Sequence, residues 1–205
     1  MDTVEGALLE PLSVGMHAVN RSGTKLGQNA LVLGAGCIGL MTIASLRAMG
    51  VGPIMVSDLF DLRLENASRM GADALIHAKD CNVYEEVMRL TNGQGADVVF
   101  ETAGSKVTAA QTIEMVRRGG KIVMVGNVYG ETPFRFIDAN NKEVDILSVF
   151  RYVNIYPMAM RAVSSKTIQV RQMISRTFSF EQVQEAFDCV IHEKDSVMKV
   201  LIAFE

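Results

Sequence analysis

Cysteine is scarce in this sequence: Cys37, Cys81 and Cys189 are its only three, and they lie far apart. That spacing excludes a disulfide framework and a cysteine-rich zinc lobe, and it fits a reduced, cytoplasmic setting. No apolar run approaches the ~18 residues that a membrane-spanning helix requires. The first residues, Met1-Asp2-Thr3-Val4-Glu5, lack the basic flank and apolar core of a secretory signal. Charge of one sign is missing too, with 20 basic against 23 acidic residues and no block of like charges. Neither nucleic acid nor an anionic membrane is expected as a partner. What remains is ordinary for a folded α/β protein: 205 residues, 49% hydrophobic and 21% charged. The 13 methionines read as core filler.

The chain has a rhythm. Residues 5–21 carry Leu8, Leu12, Met16 and Val19 at helical spacing, interrupted at Pro11, and predict one or two short helices. Ala30-Leu31-Val32-Leu33 then reads as a strand buried on both faces. Further strands are expected at 54–58, 74–76, 98–101, 121–125 and 144–150, with helices between the first five of the six. Asp61 is expected to cap the helix that follows the second strand. Six strands alternating with helices predict a doubly wound, six-stranded parallel sheet of the Rossmann type. Beyond 150 the rhythm changes to a helix near 157–164, an extended stretch at 174–178 and a helix opened by Ser179-Phe180-Glu181-Gln182. A last strand is expected within 197–204. The expected division is 1–27, a helical boundary segment; 28–152, the dinucleotide-binding unit; and 153–205, a helix and strand return segment.

Two local signals carry chemistry. Gly34-Ala35-Gly36-Cys37-Ile38-Gly39 is a G-x-G-x-x-G placed between a buried strand and a helix. Gly34 permits the tight turn, Gly36 leaves room for a pyrophosphate, and Gly39 lets the helix lie close on the sheet. The helix N-terminus then faces the phosphates. A plain strand-to-helix turn is the alternative. Asp58 ends the second strand nineteen residues after Gly39. A carboxylate there accepts hydrogen bonds from both ribose hydroxyls of NAD and repels the 2′-phosphate of NADP. The alternative is that Asp58 only starts a turn. Arg63 is the one basic residue that could greet a 2′-phosphate, yet with Asp58 present the expected cofactor is NAD. No tyrosine is followed by lysine four residues on, so short-chain dehydrogenase chemistry is excluded. The Gly126 turn after the fifth strand and the sixth parallel strand argue against a methyltransferase.

Taken together, five stretches resemble the zinc-dependent medium-chain dehydrogenases, most closely the sorbitol (polyol) dehydrogenases. They are residues 5–15, the Gly34–Gly39 loop, Phe100-Glu101-Thr102-Ala103-Gly104, residues 119–126 and Val149-Phe150-Arg151-Tyr152. The resemblance implies that Cys37 and Ile38 belong to the cofactor loop, and that Asp58 and Arg63 hold the adenosine ribose. It implies that Val125, Gly126, Asn127, Val149, Phe150 and Arg151 position the nicotinamide. Glu10 would lie beside a catalytic zinc, and Arg151 and Tyr152 would face a polyol. The implied reaction is hydride transfer from a secondary alcohol to NAD⁺, with zinc activating the alcohol oxygen in the intact enzyme.

The same resemblance implies a separate domain that supplies the Cys, His and acidic zinc ligands, whereas only five residues precede Gly6. His17, His77 and His192 are read without partners at ligand spacing, and Glu10 alone cannot hold a metal. This chain by itself is therefore expected to be inactive, and to leave apolar surface on the Leu8/Leu12 helix and on the 174–204 tail. A non-catalytic NAD-binding module, or part of a zinc-free NADPH-dependent quinone reductase relative, are the competing readings. Glu10 with Arg151 and Tyr152 weighs against the first and Asp58 against the second. Finally, Glu131-Thr132-Pro133-Phe134-Arg135-Phe136 is expected to form an exposed edge strand through which two copies pair as a homo-oligomer.

Overall fold

The computed structural model describes residues 1–193 and 195–204. Its centre is one parallel sheet of six strands: β1 (Ala30–Leu33), β2 (Ile54–Asp58), β3 (Ala74–His77), β4 (Ala96–Glu101), β5 (Val116–Met124) and β6 (Asp145–Ser148). Their order across the sheet is β3-β2-β1-β4-β5-β6, the doubly wound arrangement in which chain direction across the sheet reverses between β1 and β4. Helices α3 (Cys37–Ala48), α4 (Asp61–Arg69), α5 (Val83–Leu90), α6 (Lys106–Met115) and α7 (Phe136–Lys142) connect them.

Because side chains alternate along a strand, each face of the sheet acquires its own core. Ala30 and Val32 of β1 join Ile54 and Val56 on one face, while Leu31 and Leu33 join Met55 on the other. Ala96 and Val98 would share a face in a regular strand. A register shift in the β4–β5 pairing separates them, so Ala96 faces one core and Val98 the other.

The N-terminal segment forms two helices, α1 (Thr3–Ala7) and α2 (Leu9–Ser22), broken at Leu8. Pro11 lies within the first turn of α2, where its missing N–H has no intrahelical acceptor to lose. Contrary to expectation, Leu8 and Leu12 are fully buried, within the core that also takes in Leu40 and Ile43 of α3. Gly15 makes this close approach possible, since a Cβ there would lie 2.6 Å from the Met41 carbonyl carbon. α1 is tied to the C-terminal segment as well: Lys166 Nζ donates to Glu5 Oε1 at 2.7 Å, and Arg171 pairs with Asp2.

Two further expectations are corrected. Asp61 is the first residue of α4 and makes no capping bond; Asp58 Oδ1 instead accepts from the N–H groups of Leu59 (2.7 Å) and Phe60 (3.1 Å). Residues 131–135 form no strand, and Phe136 opens α7. Phe134 turns into the second core, while the free edge of the sheet on that side is β6. After β6 come α8 (Tyr156–Ser164), β7 (Ile174–Ser179), α9 (Val183–His192) and β8 (Lys199–Ala203). β7 and β8 pair in parallel as a separate two-stranded sheet.

Candidate active site

The ends of β1, β4, β5 and β6 lie level with one another. Leu33 pairs with Glu101, Glu101 with Met124, and Met124 with Ser148. Every loop proposed to contact the cofactor therefore leaves the sheet from its carboxyl edge, on both sides of the β1/β4 reversal, where ligands of open α/β sheets bind.

Three glycines shape the first loop for different reasons. Gly34 has φ +97°, and a Cβ there would press on Ala103 at 2.9 Å. Gly39 sits against the Gly34 carbonyl and Thr102 Oγ1, so a side chain would force α3 off the sheet. A Cβ on Gly36, by contrast, would meet nothing within 4 Å. Gly36 is the N-cap of α3 and provides no side-chain cap. The first-turn N–H groups of α3 have no intrahelical acceptor and face that open space, which is the cradle a pyrophosphate requires. The residues present therefore fit a dinucleotide.

Asp58, only 7% exposed, closes the loop from the side: the Ala35 N–H donates to its Oδ2 at 2.7 Å. Arg63 Nη1 stands 3.7 Å from the same oxygen. The structure thus brings Asp58, Arg63 and the glycine loop together.

Glu101 is the organising residue that sequence reading quoted but gave no role. It is fully buried; Oε1 accepts from Ala103 N (3.1 Å), Gly104 N (3.0 Å) and Thr108 Oγ1 (2.7 Å). Its backbone oxygen accepts from Val125 (2.9 Å) and Gly126 (2.8 Å). A Cβ on Gly126 would lie 2.6 Å from Glu101 Oε2, and one on Gly104 would lie 3.0 Å from the Asn127 oxygen. Glu101 thereby ties down the β4 loop with its carboxylate and the β5 loop with its backbone oxygen. Burial pushes the Glu101 carboxyl above the usual carboxylate range, against the hydrogen bonds from Thr108 and the 103–105 backbone. An acidic residue directly after the apolar run Val98-Val99-Phe100 was the available signal.

On the nicotinamide side, the Val149 N–H donates to the Met124 oxygen at 2.9 Å. Phe150 follows at 83% exposure, and Arg151, in the left-handed region at φ +55°, lies 5.5 Å over its ring. Tyr152 packs on the first core with its ring 5.3 Å from Tyr156. Glu10 is exposed on the first turn of α2, near enough for its charge to be felt at two other groups. The Tyr156 hydroxyl is pushed up by Tyr152, by burial and by Glu10. Cys37 is pushed up by burial, drawn down by Lys199 and pushed up by Glu10. Glu10, Cys37 and the tyrosine pair thus share a neighbourhood that joins three distant segments. Tyr156 had no motif to announce it.

Metal ligands are another matter. Among the described residues no group of three His, Cys, Asp or Glu side chains is placed to hold a metal ion. His77 stands 3.4 Å from Asp61 through Nε2 and 3.1 Å from Asp80 through Nδ1, contacts on opposite ring nitrogens that do not converge on one point.

The model of the zinc-binding dehydrogenase family matches residues 37–165. The chain belongs to that family. Among its relatives, an uncharacterised zinc-type alcohol dehydrogenase-like protein of Escherichia coli K12, YdjJ, is 42% identical over 202 residues, 98% of this chain and 58% of the relative. Sorbitol dehydrogenase of Bacillus subtilis is 37% identical over 97% of this chain and 56% of its own length. Among solved structures, an Escherichia coli oxidoreductase/dehydrogenase of unknown specificity superimposes with a TM-score of 0.96 at 40% identity, over 100% of this chain and 59% of that one. 2R,3R-butanediol dehydrogenase of Bacillus subtilis gives 0.90 at 29% identity, over 98% and 57%. This zinc-binding dehydrogenase chain therefore spans a little over half the length of these relatives, and it corresponds to the NAD-binding half of the family in its sorbitol dehydrogenase-like branch. No helix among the described residues is long and apolar enough to cross a membrane.

Proposed function

We propose that this chain is the NAD-binding portion of a zinc-dependent polyol or alcohol dehydrogenase acting in the cytoplasm. Its substrate would be a small secondary alcohol. The observation that carries the reading is the carboxyl edge of the sheet. There Gly36, where a Cβ would meet nothing within 4 Å, the Asp58 carboxylate that accepts from the Ala35 N–H, and the Val125–Asn127 loop all lie at or just after strand ends at one edge of the sheet. In this reading Gly34, Gly36, Cys37, Ile38 and Gly39 cradle the pyrophosphate. Asp58 and Arg63 take the ribose hydroxyls, and the Asp58 carboxylate sets NAD above NADP. Val125, Gly126, Asn127, Val149, Phe150 and Arg151 bind the nicotinamide end and exclude water from it.

NAD⁺ supplies the hydride acceptor when bound. This chain's part is to orient it and to present Arg151 and Tyr152 to the polyol hydroxyls. Glu10 would face the metal from the chain's side of the cleft. The donor set here does not fit zinc by itself, so the remaining ligands would come from the part of the family's length that this chain does not cover. The segments 1–27, 28–152 and 153–205 serve respectively as the boundary to that part, the cofactor unit and the return segment.

We also propose a homo-oligomer. β6 is one free edge of the sheet, its Ile146 is 45% exposed, and Phe136 of α7, 72% exposed, lines an apolar hollow with it. A second copy pairing along β6 would satisfy both edges.

Calorimetric titration tests the reading. The purified chain is expected to bind NADH and to bind NADPH more weakly, while showing no polyol oxidation and no tightly held zinc. A chain that bound neither nucleotide, or that oxidised sorbitol unaided, would overturn it.

A further inference from the structure

The adenosine end of the crevice carries more positive charge than an NAD site needs. Arg63 Cζ stands 4.8 Å from the centroid of the Phe60 ring, and Lys79 Nζ stands 4.6 Å from the same centroid. Two cations thus share one aromatic ring, immediately after the strand end that supplies Asp58. Lys79 reaches the place through sheet register: His77, at the end of β3, pairs with Asp58, and Lys79 follows two residues on. The charges around it are accounted for. Arg63 leans on Asp58 at 3.7 Å, while its Nε is buried without a hydrogen-bond partner. Asp61 and Asp80 are turned toward His77, at 3.4 and 3.1 Å. Among the described residues Lys79 has no ion-pair partner, and its contact is the Phe60 ring.

We propose that Lys79 is a specificity-determining cation for the adenosine ribose, paired with Arg63 across Phe60 and able to draw in a 2′-phosphate. Discrimination against that phosphate then rests on Asp58 alone. The inference rests on the reading of Asp58 as the ribose ligand. The physical reason is the balance of charge: a phosphate monoester meets one carboxylate that repels it and two cations that attract it, one with an unsatisfied donor. Removing the carboxylate leaves a ready anion site. Removing Lys79 weakens the attraction without touching the ribose hydroxyls.

The test uses the full chain and two half-ligands that differ only at the 2′ position, 5′-AMP and 2′,5′-ADP, titrated calorimetrically at low salt. Lys79→Ala is expected to weaken 2′,5′-ADP about fivefold or more and to move 5′-AMP by less than about twofold. Raising the salt should shrink that difference. Lys79→Arg should keep the wild-type ratio. On an Asp58→Asn background, which retains an acceptor oxygen, 2′,5′-ADP should tighten relative to 5′-AMP, and adding Lys79→Ala should cancel most of the gain. Because Lys79 is exposed, its variants carry the test in the wild-type background even if the Asp58 variant fails to fold. Equal weakening of both ligands by Lys79→Ala, or no effect on either, would overturn the proposal. If Lys79→Ala shifts the ratio but a folded Asp58→Asn does not, Asp58 is not the discriminator and the dependence claimed here fails, while Lys79 keeps its phosphate contact. If the wild type binds neither half-ligand, both this inference and the nucleotide-site reading fall.

Discussion

The two sheets of this protein obey the same local rules and reach opposite degrees of burial. β1 and β2 are buried along their whole length, whereas β7 and β8 are half-buried or exposed throughout. α3 turns Leu40, Ile43 and Leu46 into the core, fully covered by neighbouring elements. α9 is the more clearly two-sided helix, and the short turn that leads into it opens on a capping box between Ser179 and Gln182. Yet Phe187, Val190 and Ile191 remain more than half, or half, exposed, and Phe180 stacks at 5.1 Å on Phe204, itself 77% exposed. Capping and periodicity shape a helix from a dozen residues. Burial needs a second surface, which α2 provides for α3 and which the described residues do not provide for the outer face of α9.

The largest effect should come from overfilling the cofactor loop. Gly39→Val drives a branched side chain into the Gly34 carbonyl and Thr102, and should cost about 3 kcal/mol or more and abolish NADH binding. Urea denaturation with a parallel NADH titration would show it; a variant of native stability would mean that α3 can slide away from the sheet.

Next, the comparison itself can be broken by paired truncations. Leu12→Ala in the core should cost about 2–5 kcal/mol, and Phe187→Ser on α9 less than about 0.5 kcal/mol. Equal losses would show that α9 is covered in solution. A related measurement follows mass by light scattering. Ile146→Asp should shift an oligomer toward monomer while leaving the unfolding midpoint of the monomer nearly unchanged, and Phe187→Ser should leave the mass as it was. A monomeric wild type at tens of micromolar would remove the β6 pairing.

The smallest effect concerns pH. The Glu101 carboxyl is held above its ordinary value of 4.5, chiefly by burial. The folded protein therefore binds this proton more tightly than the unfolded chain does. The contribution is fully present below 4.5 and is lost as pH rises through the higher folded value. Glu101→Gln removes the dependence and keeps an acceptor for Ala103, Gly104 and Thr108. Its stability relative to wild type should rise from pH 4.5 toward neutrality. A constant difference across that range would show that Glu101 titrates as it does in the unfolded chain.

Legibility in the sequence followed physical range. β1, β2 and the glycine loop were readable because buried parallel strands and tight turns restrict residue type locally. α7 was not. Phe136-Ile137-Asp138-Ala139-Asn140-Asn141-Lys142 has no apolar stripe, and it is held by Lys142 Nζ donating to the Ile113, Glu114 and Val116 carbonyls at 2.8, 2.9 and 2.8 Å. An alternating aromatic stretch beside it looked like a strand because β-propensity reports a fit to a half-buried surface, and here Phe134 found the second core instead. Likewise Asp61 looked like the natural cap, but the helix begins one residue earlier than a cap there allows: Phe60 takes the N-cap position and its carbonyl accepts from the Arg63 and Leu64 N–H groups.

The sequence alone determined the alternation of strand and helix, the place of the dinucleotide loop and the acidic residue after β2, because each depends on residues within a few positions of one another. Tertiary structure alone decided that Leu8 and Leu12 are buried, that Glu101 holds one loop with its carboxylate and another with its backbone oxygen, and that Tyr156 and Cys37 share the neighbourhood of Glu10. It also brought Lys79 beside Arg63 on the Phe60 ring. Those pairings join residues far apart in the chain, and only the register of the sheet and the packing of helices on its two faces fix which of them meet.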